Sequence, residues 1–269
     1  MPAEYIRDIS MNLFVFSCWE KYKQIYRFDK TLYNTLTQDT LDGNVPARII
    51  LERLPFESFF IENPIQDDTG FEYRGVYVIM MNGDTGKELL LYYVAQTPER
   101  DYRFCYVTLG VGEMTLEELM NTRNRHYNIP PKAIAASSSY YEQNVLLTKK
   151  ILNLIVYLCS EEQDTEKVVI KVPKGKKKEI KIGKTFVGKK LGRTIYETKK
   201  RYVYDEKGAI GPGKGTPKTP HLRKAHYHSY WTEKKDNPEE RKLVVKFVAP
   251  TYIHGDDKEK IEITTRKVK

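Results

Sequence analysis

The residues best equipped for chemistry lie close together in the last fifth of the chain. Four of the five histidines fall between positions 221 and 254. The densest stretch is His221-Leu222-Arg223-Lys224-Ala225-His226-Tyr227-His228-Ser229-Tyr230-Trp231. Along a β-strand, alternate residues share a face. Read as a strand, this stretch sends Lys224, His226, His228 and Tyr230 one way, and Arg223, Ala225, Tyr227, Ser229 and Trp231 the other. Lys242-Leu243-Val244-Val245-Lys246-Phe247-Val248 is its expected partner strand, after a polar loop.

Three chemistries suit such a face. Lysine and arginine neutralise phosphates, while aromatic rings and guanidinium planes stack on unpaired bases, so phosphate or RNA contact is the first. The second is metal-independent RNA cleavage. Imidazoles titrate near neutrality and can serve as base and acid, with Lys or Arg steadying the charged phosphorane. His226, His228, Arg223 and Tyr230 are its catalytic candidates. The third is a zinc site through His221, His226 and His228, but no carboxylate lies close in sequence to orient the last two. A polar hairpin with packed histidines needs none of these. No metal or cofactor is expected.

Charge surrounds this stretch unevenly. Lys+Arg number 29 and Asp+Glu 12 in residues 167–269; the corresponding numbers in 1–166 are 16 and 24. This asymmetry divides the chain into an acidic region, 1–166, suited to a peptide or protein partner, and a basic region, 167–269, suited to a polyanion. The nucleic-acid-binding candidates are Lys174, Lys176, Lys177, Lys178, Lys218, His221, Arg223, Lys224, His226, His228, Tyr230 and Trp231. Gly211-Pro212-Gly213-Lys214-Gly215 lacks the spacing and the following helix of a phosphate-binding loop.

The elements that must position these residues follow from periodicity. Residues 1–40 read as helical, with Trp19, Tyr22, Ile25 and Tyr26 near helical spacing. Ile49-Ile50-Leu51 and the stretch from Leu54 to Glu62 bring β-type residues. Tyr73 to Met81, the turn Asn82-Gly83-Asp84-Thr85-Gly86, Leu89 to Ala95 and Arg103 to Leu109 form a meander. Thr115-Leu116-Glu117-Glu118 has the spacing of a capping box. A helix over 139–160 is too apolar to be exposed, so it packs on the sheet. Ser160 to Lys167 is a charged hinge, and Pro173 to Lys178 a basic loop before a short strand over 180–187. Gly208 to Pro220 is too rich in glycine and proline for regular structure. The fold class is α+β: N-terminal helices and an antiparallel β-meander packed on a long helix, followed by a basic β-rich C-terminal region.

Composition narrows the setting. Hydrophobic residues make up 40% and charged residues 30%, the balance of a folded chain. Cys18, Cys105 and Cys159 show no disulfide or zinc spacing and read as buried, reduced thiols of a cytosolic protein. No signal peptide is apparent, and the most apolar run, Ile151 to Cys159, is about half a membrane span. No membrane partner is expected.

Pro220 to Trp231 also resembles the Pro-His-x-Arg-Arg-(Ala/Gly)-His-Trp-His-x-(Phe/Tyr)-Trp signature of phage and plasmid proteins related to the second-named type V-A anti-CRISPR. Leu54-Pro55-Phe56-Glu57-Ser58-Phe59-Phe60-Ile61 resembles that family's Leu-Pro-(Tyr/Phe)-x-x-Phe-(Tyr/Phe)-(Val/Ile) segment. Leu152 to Leu158 resembles its Asn-Leu-x-Leu-Tyr helix, and Lys246 to Pro250 its Trp-(Ile/Leu)-x-Pro strand end. Tyr227 and Phe247 stand where tryptophan is common, and both keep an aromatic ring. The resemblance implies a protein of a mobile element acting in the cytoplasm of a bacterial host. Such a protein lowers production of a type V-A CRISPR effector nuclease by recognising its nascent polypeptide and promoting loss of its mRNA. RNA or a translating ribosome, and that polypeptide, are the implied partners. The alternatives are an RNase-like toxin and a non-enzymatic protein-binding module.

Overall fold

Tyr22 ends the first helix, and the chain turns at once into the strand that organises the whole sheet. In the computed structural model, which describes residues 3–38, 45–66, 72–83, 86–96, 102–122, 137–174, 178–208, 221–232 and 241–253, α1 covers Ala3–Tyr22 and β1 Gln24–Phe28. Lys23, between them, has φ 52, a left-handed conformation that is costly for a residue with a Cβ and that breaks the helix. Helical spacing over residues 1–40 therefore holds only in part. Ile25 and Tyr26 leave the helix because two strands distant in sequence pair with them.

Those strands are β2 (Ser58–Ile61) and β8 (Lys178–Val187), both parallel to β1. After β1 come α2 (Lys30–Gln38) and α3 (Arg48–Arg53). The β-type reading of Ile49-Ile50-Leu51 is corrected here, because these residues are helical. Ile49 and Ile50 are fully buried in the main core, and tertiary packing overrides their strand propensity. Beyond β2, β3 (Ile65–Gln66) pairs with β4 (Glu72–Gly83), and β5 (Gly86–Gln96) and β6 (Tyr102–Val111) complete the expected antiparallel meander. The sheet runs β6-β5-β4-β2-β1-β8-β7, where β7 is Thr165–Lys174.

Alternation of apolar residues gives the sheet two different faces. One carries Tyr26, Phe28, Phe59, Ile61, Val76, Val78, Leu91 and Tyr93 into the main core. There they join Ile151, Leu154, Ile155 and Leu158 of α5 (Ser137–Cys159), so the long helix packs on the sheet as its apolar face requires. The other face sets Ile79, Leu90 and Tyr92 against Val15 of α1. α4 (Leu116–Thr122) begins at the predicted capping box. The Glu118 carboxylate accepts the Thr115 N–H at 2.8 Å, and the Thr115 hydroxyl accepts the Glu118 N–H at 3.2 Å.

The basic region adds more than strands. α6 (Lys189–Gly208) supplies a long helix that reading the region as β-rich leaves out. Its cap comes from elsewhere in the chain: Asp164 Oδ2 accepts the N–H groups of Lys190 and Leu191 at 2.6 and 3.0 Å. The strand over 180–187 is longer than foreseen, because β7 and β8 pair along ten residues each. The charge division at 166 falls inside β7, and elements from both sides of it share one sheet and one core. β9 (His221–Arg223), β10 (His226–Trp231), β11 (Leu243–Val248) and β12 (Thr251–Ile253) make two small antiparallel pairs, β10 with β11 and β12 with β9. Cys159 is buried and its thiol pushed up by desolvation, while Cys18 and Cys105 are half-buried; none of the three is in a disulfide.

The turn from β8 into α6 tests this packing. Gly188 has φ +79, and a Cβ there would meet Leu32 Cδ2 at 2.0 Å. Left-handed strain and overpacking of the fully buried Leu32 both oppose a side chain. Gly188→Ala is expected to cost about 2–4 kcal/mol of stability, read as a lower thermal or urea midpoint.

Candidate functional site

The histidine motif is two strands. β9 ends at Arg223, Lys224 and Ala225 form a break, and β10 starts at His226. From there the expected alternation holds. His226, His228 and Tyr230 are exposed, and Tyr227 between them is buried. Lys224 lies outside both strands, so it is exposed without belonging to the strand face. Alternation places Trp231 on the face of Tyr227, yet it stands 47% exposed at the end of β10. Arg223 is exposed as well.

The buried residues of the motif explain how the exposed ones are held. The Tyr227 hydroxyl donates to the Asn153 carbonyl oxygen of α5 at 2.8 Å. Its ring meets Phe247 edge-on at a centroid distance of 5.5 Å, and Phe247 meets Tyr157 of α5 at 5.4 Å. Burial raises the Tyr227 phenol well above its ordinary range, so it stays a neutral donor. The Glu161 N–H, just past α5, donates to the Val245 carbonyl oxygen at 2.8 Å and ties β11 to the core. Segments that look separate in sequence (Asn153 to Tyr157, Tyr227, Phe247) thus form one aromatic anchor.

On the outer face, His228 lies directly across from Lys246, and His226 across from Val248. The His228 and Tyr230 rings lie 5.6 Å apart. Lys246 Nζ pairs with Glu162 Oε1 at 3.3 Å, and this hydrogen bond, with the carboxylate charge, holds its ammonium above its ordinary pKa. Alternation along the histidine motif does not by itself point to Lys246 as a site residue. Its register opposite His228 was the available signal, visible only once the hairpin pairing is known. His226 Nδ1 sits 3.2 Å from the Lys224 carbonyl oxygen, a contact that orients the ring.

The other candidates lie at different places. His221 is exposed on β9, opposite Ile253. Lys174 and Lys178 are register partners in the backbone at the far end of the β7–β8 pair. Lys176, Lys177 and Lys218 lie outside the described residues, as do most of the loop from Gly208 to Pro220 and most of the loop between β10 and β11. Among the described residues, no three His, Cys, Asp or Glu side chains gather as a metal ion would need. No helix among them is long and apolar enough to cross a membrane.

The exposed face therefore offers imidazoles, a phenol and an ammonium on a rigid two-stranded support. Such a face can bind phosphates and stack on bases. Comparison with known proteins gives the family. The family model described as the Anti-CRISPR type V subtype A2 family matches residues 26–255, from β1 to just past β12. No curated protein matches the chain. With nearly the whole described fold inside that match, the chain belongs to the Anti-CRISPR type V subtype A2 family.

Proposed function

We propose that this protein lowers the synthesis of a type V-A CRISPR effector nuclease by engaging the translating mRNA through the outer face of β10 and β11. Recognition of the nascent polypeptide falls to the acidic region and loss of the mRNA follows. One observation carries this reading. His226, His228 and Tyr230 face solvent while the residue between them anchors the hairpin, so the motif holds polar and aromatic groups that packing does not need. Exposed Arg223 and Lys224 precede them, and Lys246 lies across from His228. That composition suits a phosphate backbone with unpaired bases. Acting in the bacterial cytoplasm follows from this reading.

The same face favours one further possibility. His226 and His228, two residues apart on one strand, hold their Cα atoms about 7 Å apart. With Lys246 alongside, they have the parts of a metal-independent ribonuclease site, one imidazole as base and one as acid. Labelled RNA incubated with the purified protein, with and without chelator, separates the readings. Retention without cleavage supports binding, and cleavage that survives chelation supports the ribonuclease. Neither retention nor cleavage would leave a protein-binding module.

Retention should also be strongly salt-dependent. Each phosphate neutralised releases counterions, so affinity is expected to fall by orders of magnitude between roughly 50 and 200 mM salt. A filter-binding series across that range checks it, and a flat profile would remove phosphate contact from the account.

A further inference from the structure

The three parallel strands end together. Phe28 closes β1, Ile61 closes β2 and Val187 closes β8, all at one edge of the sheet. In open sheets, the crevice outside the carboxyl ends of parallel strands is where ligands settle, because the chain diverges there into loops and helices. Here that edge bounds a cavity of about 490 Å³, reached from the ends of all three strands and from the first turn of α2. The size suits a small organic molecule. None of the residues of the histidine motif lines it.

The lining is specific in charge and shape. Arg27, Lys30 and Lys189 contribute cations, and Tyr33 and Phe186 contribute aromatic rings. Lys30 is exposed and has no carboxylate partner among the described residues. Arg27 pairs with Glu62 at 3.4 Å, but Glu62 is shared with Lys184, so a positive charge is left over. Lys189 pairs with Glu166 at 3.6 Å across an exposed surface, where such pairs are weak. Asp29 is the acid in the lining. Its Oδ1 already accepts the Thr31 and Leu32 N–H groups at 2.8 and 3.2 Å, which also satisfies the start of α2. Asn63 is buried and locks its amide onto the Phe28 backbone, accepting from its N–H at 2.8 Å and donating to its carbonyl at 3.1 Å. Its second N–H remains available to a ligand acceptor. Burial pushes the Tyr33 phenol up to about 12, and the hydroxyl donates to the Pro64 carbonyl at 2.8 Å, so that ring is fixed in place.

We propose that this crevice binds a nucleoside phosphate, with the phosphate on Lys30 and Arg27 and the base against Phe186 and Tyr33. A bare anion would use the cations and leave the rings idle, and an apolar ligand would do the reverse. A planar aromatic ring carrying a phosphate uses both. The ligand is either a free mononucleotide or the phosphorylated end of an RNA chain, which present the same chemistry. This site stands apart from the β10–β11 face.

Calorimetric titration of the full-length protein with AMP, UMP, adenosine and inorganic phosphate tests the proposal. AMP and UMP are expected to bind, with adenosine and phosphate each about tenfold weaker or more. Lys30→Ala, whose side chain is exposed, should weaken AMP binding by about tenfold at an unchanged melting temperature, and Phe186→Ala, whose ring is 37% exposed, should weaken it as much with a small loss of stability. His226→Ala should leave it unchanged, which keeps this result independent of the β10–β11 face. A 5′-phosphorylated hexauridylate binding more tightly than UMP would assign the site to an RNA end, and equal or weaker binding would assign it to a free nucleotide. Absence of AMP and UMP binding at millimolar concentration would overturn the proposal. So would phosphate binding as tightly as AMP, or affinity that neither variant reduces.

Discussion

His226→Ala and His228→Ala are each expected to abolish the proposed reduction of effector expression while leaving the melting temperature of the protein where it was. Both side chains are exposed on β10, and the hydrogen bond that holds the strand to α5 belongs to Tyr227 between them. Removing an exposed side chain of this kind changes stability by no more than about 0.5 kcal/mol. Function should respond very differently. If the imidazoles exchange protons, loss of one costs about a hundredfold or more in rate. If they contact phosphate or bases, the face loses one of its few aromatic or cationic groups. The check is a reporter for effector protein and mRNA, run beside a thermal melt of each variant. Full activity in both variants would withdraw the site from β10, and attention would pass to Arg223 and Trp231. A melting temperature that fell together with activity would mean that the histidines support the fold.

The residue between them should behave in the opposite way. Tyr227→Ala removes a buried ring packed on Phe247, together with the hydroxyl that donates to Asn153. Truncating a buried aromatic side chain costs about 3–5 kcal/mol, and the hairpin should detach or the protein unfold. Tyr227→Phe keeps the ring and loses a single hydrogen bond, at about 1 kcal/mol. Urea denaturation should therefore rank wild type, Tyr227→Phe and Tyr227→Ala in that order, with a wide gap before the last. Activity should survive in Tyr227→Phe. An unchanged midpoint in Tyr227→Ala would show that the aromatic anchor does not hold the hairpin.

The contrast between adjacent residues of one strand was legible in the sequence, because alternation is local. So were the capping box at Thr115 and Glu118, the meander over β4, β5 and β6, and the long apolar helix. Each declares itself through residues close in sequence. The elements that sequence reading missed depend on partners far along the chain. Ile25 and Tyr26 continue a helical spacing and become a strand because β2 and β8 flank them. Ile49 and Ile50 have β-branched side chains and become helical because the core accepts them on α3. α6 receives its cap from Asp164, 25 residues before its first residue, and no local motif announces it. The candidate site shows the same divide. The outward histidines follow from alternation, whereas Lys246 joins them only through the register of β10 on β11. The crevice at the strand ends needs three strands from distant parts of the chain, so no single stretch of sequence reveals it.

The position of β1 also sets the order in which the protein can be made. Its Ile25 pairs with Phe60 on one side and with Lys184 on the other. As the chain leaves the ribosome, the first neighbour arrives early and the second only after the long stretch between Ile61 and Lys178 has been synthesised. Until then the middle of the sheet carries a raw edge, with backbone donors and acceptors open to any passing strand. Closing that gap also requires a long loop to be drawn in, which slows folding relative to helical proteins of similar size. The nascent chain thus depends on timely completion of its own synthesis, and a ribosome that stalls before residue 178 would leave it exposed to aggregation.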